Sequence, residues 1–198
     1  IVQPSQNPDY RRAVLEALAS LKLEAVEREG WHCAHCQLFL YDGYARGICP
    51  ECESPCRGFL CETCCMPNSW ASLGDVHCLL CDRPAERRRV SCQLFSLEPY
   101  RQALAEYHQQ LGLCPRMRAL GRKFMQLQQL EVVAVHPGHW GLSPSEGLIV
   151  SPWVELALAA PLLSAGSRAV NCFGADNAFL YLMLDPAVAL ALGKPRAA

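Results

Sequence analysis

Eight cysteines fall into four Cys-x-x-Cys pairs: Cys33/Cys36, Cys49/Cys52, Cys61/Cys64 and Cys78/Cys81. Two thiolates separated by two residues can both point into the turn between them and offer sulfurs at about 2.3 Å to one metal ion. Zinc takes four such ligands in a tetrahedron, so each ion needs two pairs and the eight cysteines close two sites. A site with four protein ligands and no open position is structural rather than catalytic. Cys56, Cys65, His77 and Cys92 stand nearby and together would complete a third site of three sulfurs and one nitrogen. The expected cofactor is therefore Zn2+, two ions, or three if those four residues converge. His32 and His35 flank the first pair and read as supporting or surface groups rather than ligands.

The alternative for so many cysteines is a disulfide framework. The 198-residue chain carries thirteen, ten of them between Cys33 and Cys81, with Cys92, Cys114 and Cys172 beyond. An odd total, the paired spacing and a second half able to build a core without cross-links favour metal in a reducing compartment, cytoplasm or nucleus. The richest apolar run, from Leu148 to Leu163, is broken by Pro152, Glu155 and Pro161, so no membrane span is expected. An apolar content of 51% with a formal charge of −1 describes a globular chain and gives no bulk attraction to nucleic acid.

Spacing alone leaves the pairing open. Sequential pairing joins Cys33/Cys36 to Cys49/Cys52, and Cys61/Cys64 to Cys78/Cys81, as two tandem ribbons. Here "GICPEC" at 47–52 resembles a knuckle of zinc-ribbon proteins, with Gly47 easing the turn. Alternating pairing gives a cross-braced, treble-clef module, and "PCRGFLCETC" at 55–64 resembles the core of RING fingers. In that register the position of the RING histidine is held by Gly58, and Cys49 and Cys52 have no role. Both resemblances cover only the cysteine segment.

Catalytic patterns are absent from the sequence. Cys172, in "NCFGADNAFLYLM", sits ahead of an apolar segment loosely like the nucleophile region of papain-like proteases, yet no histidine follows it. It reads instead as a strand cysteine buried as a small hydrophobe. His136 and His139 in "HPGHW" occupy a loop without a nearby carboxylate. Phosphate-loop and serine-elbow motifs are missing. For nucleic acid, Arg87, Arg88 and Arg89 abut the cysteine segment and Arg118 and Arg122 lie one helical turn apart, a surface able to neutralise phosphates. No aromatic residues interleave these arginines for base stacking.

The elements that must position these groups follow from pattern. Residues 7–29 read as an amphipathic helix capped by Asn7, with Pro8 and Asp9 in the first turn and Val14, Leu15, Leu18, Leu21 and Val26 at helical spacing. Helices are expected at Pro99–Leu111 and Pro115–Leu130. Strands are expected at Glu131–Val135, Gly147–Ser151, Ala169–Phe173 and Phe179–Leu184, a helix at Val154–Leu163, and a helical turn at Ala187–Leu192. The fold class is α+β: an N-terminal helix (1–30), a zinc-binding module (31–95), a helical linker (96–130) and a C-terminal α+β domain (131–198). Apart from the paired cysteines, no internal repeat is evident. A zinc-stabilised adaptor or regulatory subunit, docking protein partners in an intracellular assembly, is the expected function. Alternatives are a RING-like ubiquitin ligase, a DNA- or RNA-binding zinc-ribbon protein and, last, a cysteine protease using Cys172.

Overall fold

In a computed structural model, residues 7–69, 71–163 and 170–194 are described. Helix α1 (Pro8–Ala19) begins where expected: the Asn7 side chain accepts hydrogen bonds from the backbone N–H groups of Asp9 and Tyr10. It ends ten residues early. Leu23–Glu29, expected to continue the helix, instead opens the long strand β1 (Leu23–Cys33). The reason is tertiary: β1 pairs antiparallel with β6 (Glu86–Ser96) from Leu23↔Phe95 to His32↔Glu86, a partner some sixty residues away that local helical spacing cannot register.

Strands β2 (Leu38–Phe39), β1, β6, β7 (Glu131–Pro137) and β8 (Leu148–Val150) form one five-stranded sheet in that order, every pair antiparallel. The sheet draws strands from both halves of the chain, across residues 30/31 and 130/131. Alternation along the strands feeds two cores. Phe95, Val132 and Ala134 enter the main core, while Val90, Cys92, Leu94 and Val133 face a small cluster with Phe39 and Tyr41. The mixed helix and sheet content agrees with the expected class.

The main core is closed by α1 and by α2 (Arg101–Gln110), α3 (Pro115–Met125), α4 (Pro152–Leu163) and α5 (Asp185–Ala191). Tyr10 of α1 donates to Glu155 of α4 at 2.9 Å. The run Phe179–Leu184, expected as a strand, is helical, with Leu180–Leu184 wound as a π segment that leads into α5. An all-apolar run buried on every side carries no period that separates strand from helix. One carbonyl of the π segment, that of Leu182, lies 2.7 Å from Nε2 of His108 on α2. Of the expected strand Ala169–Phe173, Ala169 lies outside the described residues and the remainder has no regular structure. Cys172 is therefore exposed and irregular, not buried in a strand.

Between β1 and β6 the chain makes a long excursion that contains a second, three-stranded sheet, ordered β4 (Pro55–Arg57), β3 (Ala45–Ile48), β5 (Gly74–Cys78). Gly47 lies within β3, where a Cβ would come 2.5 Å from the Gly74 carbonyl oxygen, so close strand approach and not a turn demands the glycine. Gly58 has φ +68°, and a Cβ there would meet Asp42 at 2.6–2.7 Å. Asp42 in turn accepts from the Phe59 N–H at 3.1 Å. The residue at the expected RING-histidine position is thus held by backbone packing. Phe59 carries the excursion back to the body, meeting Phe179 edge-on at 5.6 Å. Replacing Gly58 with alanine is expected to destabilise the protein by about 1–3 kcal/mol through left-handed strain, with the Asp42 collision adding to it. Thermal unfolding of the Gly58→Ala protein checks this, and an unchanged midpoint would refute it.

Candidate metal centre

The four Cys-x-x-Cys pairs are four copies of one hairpin. In each, the residue before the first cysteine pairs with the residue seven positions later: His32↔Phe39, Ile48↔Pro55, Leu60↔Pro67 and His77↔Pro84. The residue after the second cysteine takes a left-handed backbone in every copy: Gln37, Glu53, Cys65 and Asp82, φ 54–62°. In the last three copies its N–H returns to the carbonyl of the first cysteine, at 3.0, 2.8 and 2.9 Å. The first cysteine's own N–H reaches the carbonyl of Ser54, Met66 or Arg83. In the first copy the Cys36 N–H points at the Cys33 sulfur, 3.4 Å away. The sequence signal for this unit is Cys-x-x-Cys-x-x-Pro, present three times and overlooked when only the cysteines are counted.

These hairpins bring the eight sulfurs into two groups, Cys33/Cys36/Cys78/Cys81 and Cys49/Cys52/Cys61/Cys64, each with its ligand atoms within 4.8 Å of one another. Neither tandem nor alternating pairing occurs; the arrangement is nested, with the inner group enclosed in sequence by the outer. Its cause is nested antiparallel pairing. The β1–β6 ribbon places the hairpin that follows β1 beside the one that precedes β6. Strand β3 then separates the groups: Cys78 lies across from Ala45 at its start, while Cys49 follows Ile48 at its end. Four residues of strand span about 13 Å.

Sulfur separations test the fit to a metal. Cys33–Cys81 is 3.5 Å and Cys36–Cys78 3.9 Å in the outer group; Cys49–Cys64 is 3.8 Å and Cys52–Cys61 3.7 Å in the inner. A tetrahedron of sulfurs about 2.3 Å from a central zinc has edges of about 3.8 Å. A disulfide requires about 2.05 Å. The donor sets and spacings fit Zn2+, and both groups are shielded, each alternating buried and half-buried cysteines.

The thiols of the two groups share one electrostatic pattern. Burial raises Cys33, but hydrogen bonds from the Cys36 backbone and from the Cys81 and Cys78 thiols outweigh it and bring the group down to about 7. In the inner group the backbone N–H of Ser54 leads in bringing Cys52 down to about 7. Cys36, facing the thiol of Cys81, is pushed up to about 12, and burial raises Cys49, Cys64 and Cys78. One thiolate forms readily in each group, and further ionisation is resisted until a cation compensates it.

The third expected set does not assemble. Cys56 is buried against Asn68, and Cys65 is the left-handed residue of its hairpin with its side chain in the main core. His77 faces Asp75, and Cys92 lies in the small cluster under the sheet, where burial raises it to about 11. Among the described residues only the two four-cysteine groups have metal-binding geometry. His32 approaches Glu86 and His35 is exposed. Of the arginines, Arg87 stacks 3.7 Å over Trp31 and donates to Ala71, and Arg88 pairs with Glu86, so both are engaged within the fold. Arg118 and Arg122 are exposed on α3 beside Arg116 and Lys123.

Comparison with known proteins settles the lineage. Residues 6–150 match the family described as tRNA synthetases class I (M). The chain belongs to that family. It is 31% identical over 127 residues to a methionine–tRNA ligase of Methanothrix thermoacetophila, covering 63% of this chain and 19% of that protein. A second such ligase, from Methanocaldococcus jannaschii, is 36% identical over 81 residues, covering 41% of this chain and 12% of its own length. The chain therefore spans about a fifth or less of these relatives. Its fold superposes on the apo crystal structure of Mycobacterium tuberculosis methionyl-tRNA synthetase with a TM-score of 0.62 at 12% identity, covering all of this chain and 39% of that one.

Membership of the class I tRNA synthetase family overturns the adaptor reading and its docking of protein partners, together with the RING-like ubiquitin ligase and the Cys172 protease. Nested ligation makes a test that tandem ribbons would fail. Cys33→Ser and Cys78→Ser should each remove one zinc, and combining them should remove no more. Cys33→Ser with Cys49→Ser should remove both. Metal content by mass spectrometry of the intact protein decides, and release should advance as pH falls and protons compete for the thiolates.

Proposed function

We propose that this chain is the zinc-stapled segment of a ligase that joins methionine to tRNA, with a structural Zn2+ in each four-cysteine group and the tRNA backbone meeting helix α3. The observation that carries this reading is the family match over residues 6–150, a stretch that contains the whole cysteine excursion and the sheet on which it is mounted. The relatives' names supply the substrates, and the sulfur geometry supports the metal. When bound, zinc contributes folding energy to an excursion whose own core consists largely of the cysteines themselves, with Leu40, Ala45, Leu73 and Val76. The chain's own residues orient the sulfurs through the hairpin hydrogen bonds and keep water from them.

Helix α3 suits the RNA role. Arg116, Arg118, Arg122 and Lys123 are all exposed, and the helix carries no acidic residue. Arg118 donates to the Leu113 carbonyl at 3.0 Å, which holds its guanidinium over the start of the helix. Phosphate contacts of this kind give affinity and register rather than sequence choice.

The test is charging of tRNA with radiolabelled methionine by the full-length protein. Stable incorporation with methionine, and not with other amino acids, is expected; no charging of any tRNA would overturn the assignment. Replacing Arg116, Arg122 and Lys123 together with glutamine should weaken tRNA binding and make log K less steep in log[salt] by about 2–3, at about 0.7–0.9 per lost phosphate contact. An unchanged salt slope would remove α3 from the interface.

A further inference from the structure

Asn68 is the one polar residue of the described cysteine excursion that is almost wholly buried, 2% exposed. Its backbone N–H is tied to the Phe59 carbonyl at 2.6 Å. Its side chain lies between two sulfurs: Nδ2 is 3.0 Å from Cys56 and 3.4 Å from the Gly58 carbonyl, and Oδ1 is 3.6 Å from Cys49. Cys49 belongs to the inner group and Cys56 does not. A fifth sulfur thus sits beside a four-sulfur site, with one amide in between.

In the arrangement described, the Cys49 thiol can donate to Oδ1. A metal-bound Cys49 is a thiolate with no hydrogen to give, and an amide oxygen facing it would be repelled. A half-turn of the amide reverses the polarity with almost no change of shape. Nδ2 then donates to the Cys49 sulfur, giving up its 3.4 Å contact with the Gly58 carbonyl, and Oδ1 accepts from the S–H of Cys56, which turns from the Leu60 carbonyl 3.8 Å away.

We propose that Asn68 adopts this reversed orientation when the inner site is loaded, acting as its positioning residue: it donates to the Cys49 thiolate and holds Cys56 as a thiol off the metal. The inference rests on the reading of the cysteine groups as zinc sites. Asn68 reaches only the inner one, so the outer site is an internal control. Outer-sphere donors of this kind change metal affinity by about 10–100-fold when removed.

The experiment uses the full-length protein and its Asn68→Asp variant, in which a carboxylate of the same shape cannot donate. Zinc is titrated out with a chromophoric chelator, and cadmium-substituted protein is followed by 113Cd NMR. Two zinc ions and two cadmium resonances are expected for the wild type. In Asn68→Asp one ion should be lost about 10–100-fold more readily, with one resonance moved and the other in place. Equal weakening of both ions, or two unmoved resonances, overturns the proposal. Cys56→Ala supplies a second measurement if Asn68→Asp fails to fold. It should keep both ions and both resonances in the all-sulfur range, and loss of an ion would make Cys56 a ligand and refute the inference. A wild-type protein that binds no cadmium overturns the zinc reading itself, and the role of Asn68 with it.

Discussion

The antiparallel pairing of β1 with β6 is the constraint on which the remainder of the molecule depends. Ten consecutive registered pairs, Leu23↔Phe95 to His32↔Glu86, close an excursion of more than fifty residues at its base. Closing so long a loop is entropically unfavourable, and the cost grows only slowly with its length. Against it stand the ladder itself, the burial of alternate residues into two cores, and the stacking of Arg87 on Trp31 near the far end. With the ribbon formed, the first and last cysteine hairpins are neighbours without further search, and the middle two have only each other. The strand topology thereby sets which cysteines face one another.

Much of the chemistry is legible in the residues and little of the connectivity is. The cysteine pairs name their own turns, and the prolines at 55, 67 and 84 mark where three of the four hairpins close. What the spacing cannot express is which pairs meet, because that depends on β1 finding β6 far along the chain. The same non-local pairing explains why Leu23–Glu29 misleads: Leu, Glu, Ala and Arg are good helix formers, and only the partner strand overrides them. Phe179–Leu184 misleads for the opposite reason, being buried all round and therefore without an informative period. Asn7, Pro8 and the Pro115 start of α3 were readable because caps and prolines act locally.

Function was less legible still. Zinc hairpins recur on unrelated scaffolds, so a cysteine pattern names a structural device and leaves the activity to the protein around it. The family match runs through the residues on either side of the excursion as well as the excursion itself, and no local motif in them spells out a reaction. The run Arg87–Arg89 is exposed along β6, and two of its three members also have partners within the fold: Arg87 stacks on Trp31 and donates to Ala71, and Arg88 pairs with Glu86.

The two four-cysteine groups share one chemistry but have unequal reach. The inner group grows from the hairpin that carries Phe59, Leu60 and Met66 into the main core, with Cys64 packed against both that core and the excursion's own. The outer group closes the tip of the ribbon, and among the described residues its four cysteines pack in the excursion's own core and not in the main one. A chain short of zinc would accordingly pass through a ranked series of states. Vacancy at the tip would loosen a peripheral appendage, whereas vacancy within would be transmitted through Phe59 to Phe179 and the π segment behind it. Two sites with identical ligands would thus contribute unequally to the fold.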